Sequence, residues 1–199
     1  MTDRGLLIVL SGPSGVGKDT VLQQFLQNRT DCILSVSATT RPPREGEADG
    51  VNYYFMPRAA FERLANAGEM LEYAEYSGNL YGTPAEKVEE RRRQGKHVIL
   101  EIEVQGALQV REKCPDAVLV FLMPPSVEVL RRRLQNRGTE SPEVVEKRMA
   151  VAEYEMAKAA EYDYIIVNRS VDESCVQLGA VITAAGCSVK HMQHLFWRE

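Results

Sequence analysis

Residues 12–18 read GPSGVGK, between an apolar run, Gly5 to Ser11 (GLLIVLS), and a helical stretch, Lys18 to Asn28. A buried strand that turns through glycines straight into a helix crowds backbone N–H groups around a small volume. The helix N-terminus adds partial positive charge at the same place. Phosphate oxygens suit such a cradle, and Lys18 can reach the β- and γ-phosphates of a nucleotide. The bland reading is a glycine turn that merely starts a helix; Gly12, Gly15, Gly17 and Lys18 together after a strand weigh against it. The strict pattern wants Ser or Thr after the lysine, to bring a hydroxyl to Mg²⁺. Here Asp19 follows, then Thr20. Asp19 either binds the ion through its carboxylate or turns away and favours the helix N-terminus.

The rest of the chain alternates apolar runs with helical stretches. Cys32 to Ser37, His97 to Glu103 (HVILEIE), Ala117 to Met123 (AVLVFLM) and Asp163 to Val167 (DYIIV) continue the series. Unbroken Val/Ile/Leu runs suit strands buried on both faces. The expected fold is therefore α/β, a core parallel sheet flanked by helices. Thr83-Pro84-Ala85-Glu86 and Ser170-Val171-Asp172-Glu173 read as capping boxes, the first with Pro at the opening helical position. Ser126 and Ser141 read as N-caps, and Gly95, Gly138 and Gly186 close helices. Two stretches break the rhythm. Ser37 to Thr83 is rich in Pro, Gly, Tyr and charge, and Asn52 to Met56 and Met70 to Tyr76 look like antiparallel strands. Ser126 to about Tyr162 reads as two helices joined at Arg137-Gly138-Thr139.

Six further segments carry a resemblance. They are SVSATTRPPREGEADGVNYYF from Ser35, LEYAEYSGNLYGT (Leu71 to Thr83), VILEIEVQGA (Val98 to Ala107), PPSVEVLRRRLQNRGTES (Pro124 to Ser141), KRM (Lys147 to Met149) and IIVN (Ile165 to Asn168). With GPSGVGK, in this order, the chain closely resembles the guanylate kinase family of P-loop nucleoside monophosphate kinases over roughly the first 170 residues. The resemblance implies one domain over residues 1–199 with a core (about 1–36, 84–125 and 163–186), an inserted GMP-binding subdomain (about 37–83), a helical lid (about 126–162) and a C-terminal tail (about 187–199). It implies direct in-line transfer of a phosphoryl group from ATP, with Mg²⁺, to GMP, dGMP being a second acceptor.

Residue roles follow by the same resemblance. Gly12, Pro13, Ser14, Gly15, Val16, Gly17, Lys18, Asp19 and Thr20 hold ATP, with Asn168 at the adenine. Arg137 and Arg148 come from the lid and clamp the ATP phosphates; with Lys18 and Arg44 they make the catalytic set. Arg41, Arg44, Tyr53 and Tyr81 bind the GMP phosphate, with Glu47 and Gly82 in the same site. Read alone, Arg41 and Arg44 on a Pro-stiffened turn are either two forks for one monophosphate or a solvated charge cluster. Guanine offers two adjacent donors, N1–H and N2–H₂, beside the O6 acceptor. A carboxylate pairs with both donors and would be left unpaired by adenine. Glu72 matches the family's carboxylate and Ser37 and Thr83 its hydroxyls, and Glu103 adds a contact to the base. Glu101 and Glu103 end a strand where a second acidic motif lies, positioned to order Mg²⁺ or its waters.

Net charge sets limits on partners. At −4 the chain lacks the excess Lys and Arg of a nonspecific nucleic-acid or membrane-surface binder, while a few local cations suffice for a phosphate pocket. No stretch approaches the roughly 20 apolar residues of a membrane span, and the opening apolar run is too short for a signal peptide. Cys32, Cys114, Cys175 and Cys187 fit no zinc spacing and read as reduced thiols, most of them in the core. A cytoplasmic protein is expected, and a homo-oligomer stays open. His191 and His194 read as a surface helix, Arg91-Arg92-Arg93 as a solvated helix end, and Leu195 to Trp197 as a docking tail. Two rival readings remain: a P-loop kinase acting on another phosphorylated acceptor, such as a ribose bisphosphate, and a scaffold of this shape that binds peptides without catalysis.

Overall fold

The computed structural model describes residues 4–27, 29–135 and 142–192. Five strands pair in parallel: β1 (Leu7–Ser11), β2 (Cys32–Leu34), β7 (His97–Glu101), β8 (Val118–Met123) and β9 (Tyr164–Val167), in the order β2-β7-β1-β8-β9. Every residue of β1 is buried, which explains why its sequence does not alternate. Leu6, Ile8 and Leu10 pack with Val21, Leu22 and Phe25 of α1 (Lys18–Gln27) and with Leu178 and Ile182 of α7 (Val171–Gly186). Leu7 and Val9 point the other way, into a core with Val88 of α3 (Ala85–Arg93) and Ala107 and Val110 of α4 (Val104–Lys113). The result is a sheet between two helical layers, with β1, β2, β7 and β8 each shared by two cores; β9, at the sheet edge, gives only Ile166 to the first core, and Tyr164 and Ile165 are exposed rather than buried on both faces.

A second sheet is built from residues 38–84: β3 (Ala38–Thr39), β4 (Tyr54–Phe55), β5 (Met70–Tyr76) and β6 (Asn79–Pro84), in the order β4-β3-β6-β5. Of the two stretches expected as antiparallel strands, Met70–Tyr76 is antiparallel, to β6, for which the sequence suggests no strand, whereas β4, within Asn52 to Met56, runs parallel to β3. The loop 40–53 carries the chain back, so Tyr54 N–H meets the Ser37 carbonyl at 2.8 Å rather than forming a hairpin. Helix α2 (Arg58–Asn66) covers this sheet through Phe61, which is fully buried with Ala38 and Met70. Helices α5 (Val127–Gln135) and α6 (Pro142–Ala157) pack on each other through Leu130, Leu134, Val145 and Met149. Arg137, Gly138, Thr139, Ser141, His194 and Leu195 to Trp197 lie outside the described residues.

Several local expectations are corrected. Thr83 does not cap α3: the cap position is Pro84 with no side-chain bond, and the Thr83 hydroxyl donates to Glu72 instead. Ser170 and Ser126 do cap, accepting from Glu173 N–H and Val129 N–H at 3.2 Å each. Arg92 is not solvated. It is 2% exposed, donates to the Gly5 carbonyl at 2.8 Å and pairs with Asp116, so it fastens α3 to the start of β1. Only Cys32 of the four free cysteines is buried; Cys114 and Cys175 are half-buried and Cys187 is exposed. His191 sits in a turn after α7, not in a helix. Among the described residues, no helix is long and apolar enough to cross a membrane.

His97 begins β7 half-buried, and its Nδ1 accepts from Leu6 N–H at 3.0 Å. Burial holds its pKa below the ordinary 6.5. The unfolded chain therefore binds the proton more readily, so this stabilisation is complete above the unfolded pKa and declines as pH falls. Calorimetric melting at pH 7.5 and 5.5 should show the stability advantage of the parent over His97→Gln shrinking at the lower pH. An advantage that grew instead would contradict this.

Candidate functional site

The functional side chains gather at the carboxyl ends of the parallel strands, where β1, β7 and β9 run out into loops. From Ser11 the chain turns through the glycine loop into α1. Gly15 and Gly17 have φ of 84° and 99°, in the left-handed region. At Gly17 an added Cβ would lie 3.0 Å from Asn168 Nδ2, so the loop and the end of β9 fit only without a side chain there. Lys18 bends back and donates to the Gly12 carbonyl at 2.6 Å. Asn168 is buried: its Nδ2 donates to the Val16 carbonyl at 2.8 Å, and its Oδ1 accepts from the Ser174 hydroxyl at 3.0 Å. Beside it opens a cavity of about 310 Å³ lined by Gly15, Gly17, Thr20, Arg133, Asn168 and Val171, among others.

Two arginines tie α5 and α6 to this loop. Arg148 donates to the Ser14 hydroxyl at 2.6 Å. Arg133 donates to the carbonyls of Val16 at 2.9 Å and Asn168 at 3.2 Å. The sequence places Arg133 on a helix face with Arg137 and gives it no site role; only the fold brings it against the loop. A third group is Glu155, half-buried on α6, whose carboxyl is raised by burial and lies in the field of Lys18 and Glu103. Its neighbours in sequence, EYEMA, give no sign of this.

Across the strand ends lies a second cavity of about 420 Å³. Ser37, Tyr53, Glu72, Tyr81, Gly82, Glu101 and Glu103 line it together with Gln105 and Gly106. Glu72, on β5, is 7% exposed and accepts from the Thr83 hydroxyl of β6 at 2.6 Å. Burial raises its pKa, and the Thr83 bond opposes part of that. An added Cβ on Gly106 would stand 3.0 Å from Glu72 Oε2, so the glycine leaves room for the carboxylate. At the rim Arg41 forms a two-pronged pair with Glu47, 2.9 Å on each prong, and lies over the rings of Tyr53 and Phe55. That pair lowers the Glu47 pKa to about 2. Arg44 is exposed, and its backbone N–H donates to Glu47 at 2.7 Å.

Glu101, at the end of β7, lines the Glu72 cavity and lies beside Asp19 at the start of α1. Burial first, and then Asp19 alongside, push its carboxyl up to about 7, with Lys18 opposing. Two neighbouring carboxylates beside a lysine form a set of hard oxygen donors, which suits Mg²⁺ when phosphate oxygens complete the shell. Among the described residues no cluster of three or more His, Cys, Asp and Glu stands ready to hold a metal unaided. The structure thus brings Lys18, Asp19, Arg148 and Asn168 to the glycine loop and sets Glu101, which lines the Glu72 cavity, beside Asp19. Arg137 lies outside the described residues.

Comparison with known proteins agrees with this architecture. The family model described as guanylate kinase matches residues 4–185. The chain is 56% identical to the guanylate kinase of Thermobifida fusca, covering 89% of this chain and 91% of that protein. It is 52% identical to the one from Halalkalibacterium halodurans, over 93% and 91% of the two chains. The crystal structure of guanylate kinase from Anaplasma phagocytophilum superposes with a TM-score of 0.72 at 35% identity, over 96% of this chain and 90% of that one. Sheet, glycine loop, buried Glu72 and full-length similarity coincide, and the chain belongs to the guanylate kinase family.

Proposed function

We propose that the two cavities divide one reaction, with ATP on the glycine loop and GMP in the pocket of Glu72. The chain is an ATP:GMP phosphotransferase by family, and the positions of its residues support a division of labour among them. The observation that carries the assignment is Glu72, a buried carboxylate held by Thr83 inside a cavity large enough for a nucleobase. Its two oxygens accept from N1–H and N2–H₂ of guanine, the Ser37 hydroxyl donates to O6, and the Thr83 hydroxyl, whose proton goes to Glu72, holds the carboxylate against the base. Arg41, Arg44, Tyr53 and Tyr81 hold the GMP phosphate, for which Arg41 exchanges the Glu47 carboxylate. Residues 37–83 serve as the GMP-binding insert and 126–162 as the lid. Asn168 meets the adenine with its remaining N–H.

The transferring phosphoryl group spreads negative charge over its oxygens, and fixed cations stabilise that charge without acid–base chemistry. Lys18, Arg44, Arg137 and Arg148 supply them. Arg148 already touches the loop through Ser14, so little reorganisation is needed. Asp19, Thr20 and Glu101 would hold Mg²⁺, which neutralises charge between the β- and γ-oxygens when bound. A cytoplasmic setting belongs to the same reading. A ribose bisphosphate acceptor leaves the Glu72 pocket without a purpose, and a non-catalytic scaffold leaves Lys18 and Arg148 without one.

The test is ADP release from Mg·ATP with GMP, dGMP, AMP, CMP and UMP offered separately. Turnover of about 1–100 s⁻¹ confined to the guanine nucleotides is expected. Equal rates with AMP would remove the role given to Glu72.

A further inference from the structure

Behind the GMP pocket lies a cleft that the phosphoryl transfer does not use. It encloses about 300 Å³ between β2, β7 and α3, and its floor is Ile33, Val88 and Val98. Lys87 and Arg91, one turn apart on α3, and Lys96 from the turn before β7 stand along it. Among the described residues no Asp or Glu lines it, although the chain as a whole carries a net charge of −4. The cations have distant or neutral partners. Lys87 is 3.9 Å from Glu90 and lies over the Tyr54 ring at 5.7 Å. Arg91 donates to the Gln94 amide oxygen and Lys96 to the Thr30 carbonyl. An apolar floor, one aromatic wall and several cations without a carboxylate in the lining make a site for a flat apolar ring bearing an anionic group.

We infer that this cleft binds a compact aromatic anion and that its occupant alters GMP affinity. The two cavities share a wall. Ser35 and Val36 face the rear cleft and Ser37 the GMP pocket; Tyr54 faces the rear and Tyr53 the front. The two wall segments are joined by the Tyr54 N–H bond to the Ser37 carbonyl at 2.8 Å. A ligand wedged against one side of this two-segment wall biases the position of the other side. The site itself stands apart from the reading of the front pocket; only the coupling rests on it.

The probe is 1-anilinonaphthalene-8-sulfonate, titrated by fluorescence into the full chain saturated with GMP and ADP. One class of site should persist, and Lys87→Glu/Arg91→Glu should weaken it by roughly tenfold or more. Both positions are exposed on α3 and outside the phosphoryl-transfer machinery, so the variant should fold and turn over GMP at the parent rate without the dye. The dye should change the KM for GMP in the parent and not in the double variant. Displacement of all dye by GMP and ADP, or equal affinity in parent and variant, would overturn the site. A retained site with no change in KM would overturn the coupling. Failure of GMP as an acceptor would strike the reading of the front pocket and leave the dye titration to decide the rear one.

Discussion

Lys18→Ala keeps its fold and loses about a hundredfold or more in turnover, on the order of 2.7 kcal/mol of transition-state stabilisation. The side chain is half-buried and bonds to the Gly12 carbonyl; its removal takes away the cation that opposes the raised Glu101 and Glu155 carboxyls, and those groups can take up protons rather than stay buried and charged. The loop conformation itself is set by the glycines and by Arg133 and Asn168 on the Val16 carbonyl, none of which the substitution touches. Melting temperature should therefore stay close to the parent's while kcat collapses. A folded Lys18→Ala enzyme working at full rate would remove the phosphate role of the loop. Arg148→Ala should act in the same direction through the loss of a second fixed cation.

The second large effect is expected at Glu72. Glu72→Gln keeps the size of the side chain but offers one acceptor and one donor where guanine needs two acceptors. Catalytic efficiency toward GMP should fall by roughly a hundredfold or more, since an unpaired buried polar group discriminates strongly. Stability should move the other way or not at all. Burial disfavours the charged form of Glu72, raising its pKa, and a neutral amide removes that penalty while still able to accept from Thr83. Activity and melting curves measured on the same preparation separate the two. A variant that lost both together would make Glu72 a structural residue, and one with unchanged kcat/KM for GMP would place guanine elsewhere.

The strand, glycine loop and helix at the N-terminus are legible in the sequence because each is local: an apolar run, positive-φ glycines and a helix start within 24 residues of one another. The parallel sheet follows from uninterrupted apolar runs alternating with helical stretches, although the run at β9 leaves Tyr164 and Ile165 exposed at the sheet edge. The cap at Ser170 is legible for the same local reason. At Thr83 the identical pattern misleads, because a buried carboxylate on the neighbouring strand competes for the hydroxyl more strongly than an N-cap does. Arg92 is misread beside Arg91 and Arg93 because its sequence neighbours do not show that its place on α3 faces Asp116 and Gly5, 24 and 87 residues away.

The amino-acid sequence by itself determined the fold class, the phosphate loop and the family, since these rest on short-range chemistry and on long runs of matching residues. Tertiary structure alone decided which charges meet. It set Arg41 on Glu47, Arg133 and Arg148 on the glycine loop, and Glu101 beside Asp19 with its carboxyl raised to about 7. The physical reason is that ionisation and pairing depend on burial and on distances across the fold, and neither quantity is written in the order of the residues.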